Sequence, residues 1–337
     1  MAGKKKTRTK SITKRGTIVN KKPSKKINVP FGYFGSKNKI ALQLCSDLPP
    51  HNCWVEAFCG SAALTLRKEA APIEIINDID GDIINLFRQL RNRPNALCNK
   101  IDLTPYSEEE LVNARVVDPK LSKLERARRF LVQSMMAVNG VFGEERGGFS
   151  YSDSYSRNGH DARVNRWINL PDRVQPVVDR LKKVRIEHKD ARKLIERFLY
   201  RPATLLYLDP PYFTKRTNGY NREANDKAFH EELLTLVKKA RCMIFISGYN
   251  NALYNRMLTF KSGWKKRSIH TLTKDTTGQT HDRIEVIWTN KYFRKAVASK
   301  RIPIRLTETE IKENKLNPER LPQKRRKIIE KKKRIKK

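Results

Sequence analysis

The chain has 337 residues, of which 72 are Lys or Arg and 35 are Asp or Glu, a net charge of +37. This length accommodates one large domain or two ordinary ones of roughly 100–200 residues, and hydrophobic residues at 38% leave material for a core. The cation excess points to a polyanion such as nucleic acid, while the lack of an apolar run of roughly 18 residues excludes a membrane span and the lack of an apolar segment after the basic start excludes a secretory signal.

Residues 1–28 hold 11 cations and no acid, with no apolar period, so a disordered basic arm is expected there. Order should begin near Val29. The stretch Phe31-Gly32-Tyr33-Phe34-Gly35-Ser36-Lys37 joins aromatics, a glycine turn and a lysine. It could cover a ligand and pair with its carboxylate; a turn with a surface lysine is the plainer local reading. Residues 39–48 have helical spacing and stop at Pro49-Pro50.

A short apolar strand over 53–55 then runs into the small-residue turn Glu56-Ala57-Phe58-Cys59-Gly60-Ser61-Ala62 and a helix. Small residues let a ligand approach the backbone, and the following helix N-terminus favours polar ligand groups. A second strand over 73–77 ends at Asp78, 18 residues after Gly60. An acid about 20 residues beyond such a turn can accept from ribose hydroxyls, although a helix cap is the alternative. Two strand–turn–helix units in succession predict a parallel sheet with crossover helices.

The pattern changes after residue 84. Helices are expected over 107–115 and 121–138, and a polar, Gly- and Arg-rich stretch over 139–165. So long a stretch without clear structure is functional or disordered. The α/β rhythm returns with strands at 184–187 and 204–208, helices at 190–198 and 231–239, and strands at 242–247 and 284–289. Residues 294–337 carry 18 cations and 5 acids, so the two ends together hold +24 of the net +37. A short helix is expected over 306–317. Cys45, Cys53, Cys59, Cys98 and Cys242 are odd in number with no CxxC, and no histidines have metal-ligand spacing. A disulfide framework or a metal site is not expected, and a reducing compartment fits.

The strongest local signal is Asp209-Pro210-Pro211-Tyr212 at the end of the apolar run TLLYL. Ligands in open α/β sheets bind beyond the carboxyl ends of strands. The prolines stiffen the loop, and the Asp209 carboxylate with the Pro210 carbonyl offers two acceptors to an amine bearing two N–H groups. Tyr212 adds a face on which a base can stack. An ordinary turn after a strand is the plainer reading.

Taken in order, the aromatic-GSK segment, EAFCGSAAL, NDID, a long insert and DPPY resemble the Dam-type, alpha-class adenine-N6 DNA methyltransferases. The segments HEELLTLV, MIFISGYNNALY and RIEVIWTN are similar to the closing part of the phage and restriction-associated branch. The likeness covers about residues 30–290. It implies a Rossmann-like S-adenosylmethionine-dependent methyltransferase fold, α/β with a mostly parallel sheet and a largely helical target-recognition insert. The implied division is an arm over 1–28, a catalytic domain over 29–84 plus 186–293, an insert over 85–185 and a basic tail over 294–337. S-adenosylmethionine is the implied methyl donor, with no metal, and a flipped adenine in double-stranded DNA the acceptor.

By the same likeness, Tyr33, Lys37, Glu56, Phe58, Gly60, Asp78, Asp190 and Asp209 bind the cofactor, and Asp209, Pro210, Pro211 and Tyr212 form the catalytic tetrad. The turn carries less glycine than is usual in the family, and the first motif reads GSK where GGK is common; both changes are to small residues. The insert lacks the pattern typical of GATC-methylating members, so that specificity is not carried over. Its Arg146, Arg157, Arg163 and Arg166, with Asn158 and Asn165, are the residue types that read guanine and adenine edges; phosphate contacts from a solvated loop are the alternative. No membrane is implied. A restriction enzyme is the partner the branch suggests, and the expected location is the cytoplasm, on DNA, or the nucleus in a eukaryotic host. The rival readings are an RNA adenine methyltransferase, a cytosine-N4 enzyme, disfavoured by Asp at the head of the tetrad, and a catalytically silent DNA-binding subunit.

Overall fold

Short runs of β-branched and aromatic residues, buried on both faces, build a central sheet, as parallel strands covered on both sides require. A computed structural model describes residues 10–12, 18–20, 27–32, 36–138, 147–153, 156–211, 227–274 and 280–303. The seven strands of the main sheet are β1 (Cys53–Glu56), β2 (Ile73–Asn77), β3 (Val184–Glu187), β4 (Thr204–Leu208), β5 (Met243–Gly248), β6 (Trp264–Lys274) and β7 (Thr280–Asn290). Their spatial order is β6-β7-β5-β4-β1-β2-β3. The pairs β1–β2, β1–β4, β2–β3 and β4–β5 are parallel. Strand β7 runs antiparallel to both β5 and β6. Chain order reverses between β1 and β4, which opens the crevice where ligands bind in such sheets.

Helices α1 (Ala41–Ser46) and α2 (Ala63–Arg67) flank β1. Between β2 and β3 lie α3 (Gly81–Asn92), α4 (Pro94–Asp102), α5 (Glu108–Ala114), α6 (Lys123–Met136), α7 (Ala162–Ile168) and α8 (Leu170–Leu181). After β3 come α9 (Ala191–Glu196), α10 (Lys227–Lys238), α11 (Ala252–Met257) and α12 (Lys291–Ser299). Strand alternation sorts the core onto two faces. Val55, Leu206 and Ile244 pack with residues of α9, α10 and α11. Trp54, Tyr207 and Phe245 pack with residues of α1, α2 and α12. The Tyr207 and Phe245 rings stack with centroids 4.5 Å apart.

The insert is thus a helical elaboration of one crossover, and its core is continuous with the β2–β3 end of the sheet through Ile76, Ile83 and Val184. Ser107 and Ser122 cap α5 and α6 by accepting from the backbone N–H of Glu110 and Glu125 three residues on, the Ser-x-x-Glu spacing of a capping box. Arg180 of α8 clamps the insert to the body. It donates to the Thr65 carbonyl at 3.0 Å and to Glu74 at 2.8 Å, while Lys68 reaches the same carboxylate at 2.6 Å. All three charged side chains are buried, and pairing is what such burial requires.

Four expectations change. Strand β6 was not foreseen. The stretch 139–165 contains a small hairpin, with Ser156–Arg157 paired to His160–Asp161 across Asn158-Gly159. Both turn residues have positive φ, 54° and 78°, the geometry that selects Asn-Gly. At the chain ends, α12 runs past residue 294, where the tail was expected to begin, because Phe293 and Ala296 are buried against the sheet. Within the expected arm, Lys10–Ile12 and Ile18–Asn20 pair antiparallel, and Asn28 accepts from Arg67 at 3.0 Å.

Candidate active site

The carboxyl ends of β1, β2 and β4 meet at the crevice. β4 delivers Asp209 one residue past its last strand position. The Lys37 ammonium lies 2.7 and 2.8 Å from the two oxygens of that carboxylate, and Glu285 of β7 lies 3.5 Å from the same ammonium. Ser247, near the end of β5, donates to Asp209 Oδ1 at 2.9 Å. Its hydroxyl also meets the Tyr207 hydroxyl at 2.8 Å. Burial pulls the Lys37 ammonium toward neutrality, but Asp209, Tyr207 and Glu285 outweigh it and the pKa is raised. Lys37 therefore stays charged. Proline rings 210 and 211, with Ser247, Gly248, Tyr249, Asn251 and Tyr254, line a cleft beside the carboxylate. Tyr254 is fixed from behind by the buried ring of His230, 2.9 Å away.

The turn after β1 is held from three sides. Ala57 N–H donates to the Tyr207 carbonyl at 3.1 Å and Cys59 N–H to the Asn77 carbonyl at 2.9 Å. Gly60 N–H donates to Asp78 Oδ2 at 2.9 Å, and Asp80 N–H to Asp78 Oδ1 at 3.0 Å. Gly60 has φ 46° and Ala62 φ 54°, left-handed conformations that glycine adopts freely and alanine rarely does. Burial pushes the Asp78 carboxyl up to about 6, with the Asp80 and Gly60 N–H groups opposing it. When ionised, Asp78 has acceptor capacity beyond these two N–H groups, and protonation reduces it.

Glu56 is turned inward. Its carboxylate accepts from Thr65 N–H at 3.0 Å and from the Thr65 hydroxyl, and so caps the start of α2. Burial lifts this carboxyl to about 7. The Thr65 hydroxyl in turn accepts from Trp54 Nε1 at 2.7 Å. Glu56 was expected to contact the cofactor; the contacts the structure gives its oxygens are those to Thr65. Lys37 likewise sits on Asp209 rather than standing open for a ligand carboxylate.

Asp190 caps α9 through Arg192 N–H at 2.8 Å and receives the Arg192 guanidinium at 2.6–3.1 Å. That guanidinium lies 5.0 Å over the Phe229 ring, and Phe229 meets Phe58 edge-on at 6.2 Å. Phe58, Phe229 and Asp190 thus form one wall beyond β1 and β3. The hydrogen bond from Arg192 to Asp190, then its neighbours' charges, hold the Asp190 carboxyl below its usual range.

In the insert, Arg157 and Asn158 are exposed on the hairpin, and Arg163 is exposed on α7. Arg166 is half-buried, with its guanidinium close to Gly32. Asn165 is buried and its side chain accepts from Asn169 at 2.9 Å, so it is not presented to a ligand. Tyr33, Tyr212 and Arg146 lie outside the described residues. Ser247, Tyr207, Glu285, Phe229 and Arg192 escaped the sequence reading. Only the small-polar run ISGYN after an apolar strand marks Ser247. Among the described residues, no three His, Cys, Asp or Glu side chains converge as metal ligands do, and no helix is long and apolar enough to cross a membrane.

Residues 33–277 match the family described as D12 class N6 adenine-specific DNA methyltransferase. The Type II methyltransferase M1.LlaDCHI of Lactococcus lactis subsp. cremoris is 24% identical over 229 residues, covering 63% of this chain and 76% of that protein. Among solved structures, the putative methyltransferase yhhF from Escherichia coli aligns at 11% identity with TM-score 0.29, over 76% of this chain and 81% of its own. Precorrin 8w decarboxylase from Methanobacterium thermoautotrophicum aligns at 8% identity with TM-score 0.30, over 78% and 98%.

Proposed function

Since the chain belongs to the D12 class N6 adenine-specific DNA methyltransferase family, we propose that its carboxyl-end crevice binds S-adenosylmethionine beside an adenine extruded from duplex DNA, with Asp209 as the residue that engages the amine. The observation that carries this reading is the grouping of Lys37, Asp209 and Ser247 at the head of the DPPY loop. The crevice suits the cofactor. The left-handed turn at Gly60 exposes backbone at the switch point, Asp78 offers acceptors for a ribose, and the Phe58–Phe229 wall offers a flat apolar surface for an adenine ring. When bound there, S-adenosylmethionine supplies an electrophilic methyl group on a sulfonium leaving group.

The remaining chemistry belongs to the chain. An adenine amine is a weak nucleophile because its lone pair is delocalised into the ring. One oxygen of Asp209 and the Pro210 carbonyl accept its two N–H bonds and favour the tetrahedral amine. Lys37 and Ser247 lock the carboxylate in place, so that it presents a fixed acceptor to the amine. Positive charge that develops on N6 then lies against a fixed anion, an arrangement that needs no reorganisation. Aligning amine and methyl is the other large contribution. Extrusion from the stack precedes all of this, and Tyr212 holds the extruded base.

The exposed Arg157, Asn158 and Arg163, with Arg146, read the target and its phosphates. The domain division follows the likeness, with the body extended through α12. The name of the Lactococcus relative suggests a restriction-enzyme partner. The test is single-molecule sequencing of DNA from a methylation-free bacterium that expresses the chain. N6-methyladenine at one recurring sequence is expected. Unmodified DNA alongside methylated RNA would replace this reading with the RNA one.

A further inference from the structure

At the end of the sheet opposite the crevice, the corner built by β5, β6, β7 and α12 is rich in cations, while acids nearby, Glu74 of β2 and Asp47 before β1, are paired with Lys68, Arg180 and Arg267. Residues 233–274 and 286–307 contain no Asp or Glu. Of the exposed lysines in these segments, which also include Lys266 and Lys300, six gather at this corner: Lys238, Lys239, Lys261, Lys265, Lys291 and Lys295. Strand pairing and side-chain hydrogen bonds place them around one point. Trp264 pairs with Asn290 and Lys265 with Thr289 where β6 starts and β7 ends. Arg294 donates to the carbonyls of Gly263 and Thr289 at 3.2 and 3.0 Å. Gly263, at φ 86°, leaves room for the Lys291 side chain. From the other side, Arg241, just after α10 with Lys238 and Lys239, donates to Tyr292 of α12 at 2.6 Å. None of the six lysines forms an ion pair among the described residues, whereas Lys37, Lys68, Arg128 and Arg192 elsewhere all do.

A single-sign cluster disfavours folding through self-repulsion, and a screened field does not reach the crevice. The Debye length is about 8 Å at physiological salt, and a five-residue strand alone separates the two ends by roughly 17 Å. These cations therefore contribute nothing to the cleft at a distance; they act by touching their partner. We infer that this face is a second nucleic-acid surface, which binds phosphates of duplex DNA outside the segment held at the crevice. Arg241 and Arg294 frame it and the six lysines supply the cations that meet phosphate. Lysine suits phosphate without sequence choice. The occupant is a remote stretch of the duplex held at the crevice, and the surface has no part in target selection.

Two measurements on the full-length chain test this. In the first, the lysine amines are acetylated with a water-soluble reagent with and without a duplex of about 40 base pairs, and again with a duplex of about 12, roughly 40 Å long. The six lysines are expected to be protected several-fold by the long duplex and little by the short one. Equal reactivity with and without the long duplex overturns the inference, as does protection by single-stranded RNA alone. The second compares wild type with a variant in which all six lysines are Gln. The slope of log affinity against log salt on the long duplex should become shallower by about 0.9 for each phosphate that is no longer neutralised, while methylation of the short duplex is unchanged. An unchanged slope overturns the inference even if methylation is intact. Amine protection does not require methyl transfer, so a failure of the catalytic reading would leave this result interpretable.

Discussion

The crevice and the corner of the sheet around the start of β6 treat charge in opposite ways. At the carboxyl end, Asp209 is matched by Lys37, and that ammonium also faces Glu285; Asp78 is held by two backbone N–H groups. At the corner formed by β5, β6, β7 and α12, six exposed lysines have no acidic partner among the described residues. Burial explains the difference. A charge taken from water must be paired or hydrogen-bonded, and pairing fixes its position to within a fraction of an ångström, as a reacting centre requires. A solvated lysine carries no such requirement and remains available to an external anion. Fixed charge serves chemistry; free charge serves binding.

The comparison can be broken most forcefully at Asp209. Asp209→Ala should reduce turnover by about 10²–10³-fold, by analogy with loss of one preorganised electrostatic contact, with cofactor affinity nearly unchanged. Single-turnover kinetics beside calorimetric titration of S-adenosylmethionine would show it. An equal loss in both would move Asp209 from transition-state to ground-state binding.

Ser247 tests whether fixing the carboxylate matters. A hydrogen bond to a charged group contributes about 1.5–3 kcal/mol, so Ser247→Ala should reduce kcat about tenfold or more. Ser247→Thr, which keeps the hydroxyl, should restore most of it. If alanine and threonine variants behave alike, the hydroxyl does not position Asp209 and the change reflects packing only.

Much of this arrangement was legible in the sequence, and the gaps have physical causes. Strands β1, β2, β4 and β5 announce themselves because burial on both faces leaves continuous apolar runs. Strand β6 does not, since Lys265, Lys266 and Arg267 on this edge are exposed and mask any alternation; edge strands carry such charges to resist pairing with other chains. The Asn158-Gly159 turn was readable and its hairpin missed, because the flanking strands are two residues long. Helix α12 hides among lysines, and only Phe293 and Ala296 betray it. The pairing of Lys37 with Asp209 spans 172 residues, so no local pattern could report it. Asp78 and Glu56 both follow or end a buried strand, yet Asp78 accepts from the turn and Glu56 from the start of α2, a difference no local pattern reports because an acid there serves a ligand or a helix start equally well.

A smaller effect is expected at Asp78. Its carboxyl is lifted to about 6 from a usual value near 3.8, so it takes up a proton as pH falls through that range and loses an acceptor for the ribose. Cofactor affinity should weaken below about pH 6. Asp78→Asn should bind roughly tenfold more weakly at pH 8 and show no such step. Titrations between pH 5 and 8 decide it, and a step that persists in the variant belongs to another group.

The smallest effect concerns the insert. Burial would raise the Glu125 carboxyl, yet hydrogen bonds from Arg128, Lys100 and Arg129 bring it down to about 2. A depressed carboxylate stabilises the fold above its unfolded value near 4.5, and that contribution disappears as pH falls from there toward 2. Glu125→Gln should lower the melting temperature at pH 7 by a few degrees, and the gap should close on acidification. A gap of constant size would mean the ion pairs contribute nothing.

The most direct test of the account is the product of the reaction. Purified full-length chain is incubated with methyl-labelled S-adenosylmethionine and duplex DNA, in parallel with RNA, and the nucleosides are separated after digestion. Label in N6-methyldeoxyadenosine, lost in Asp209→Ala, is the predicted result. Label confined to methylcytosine or to RNA, or label in DNA that survives the Asp209 substitution, would contradict it.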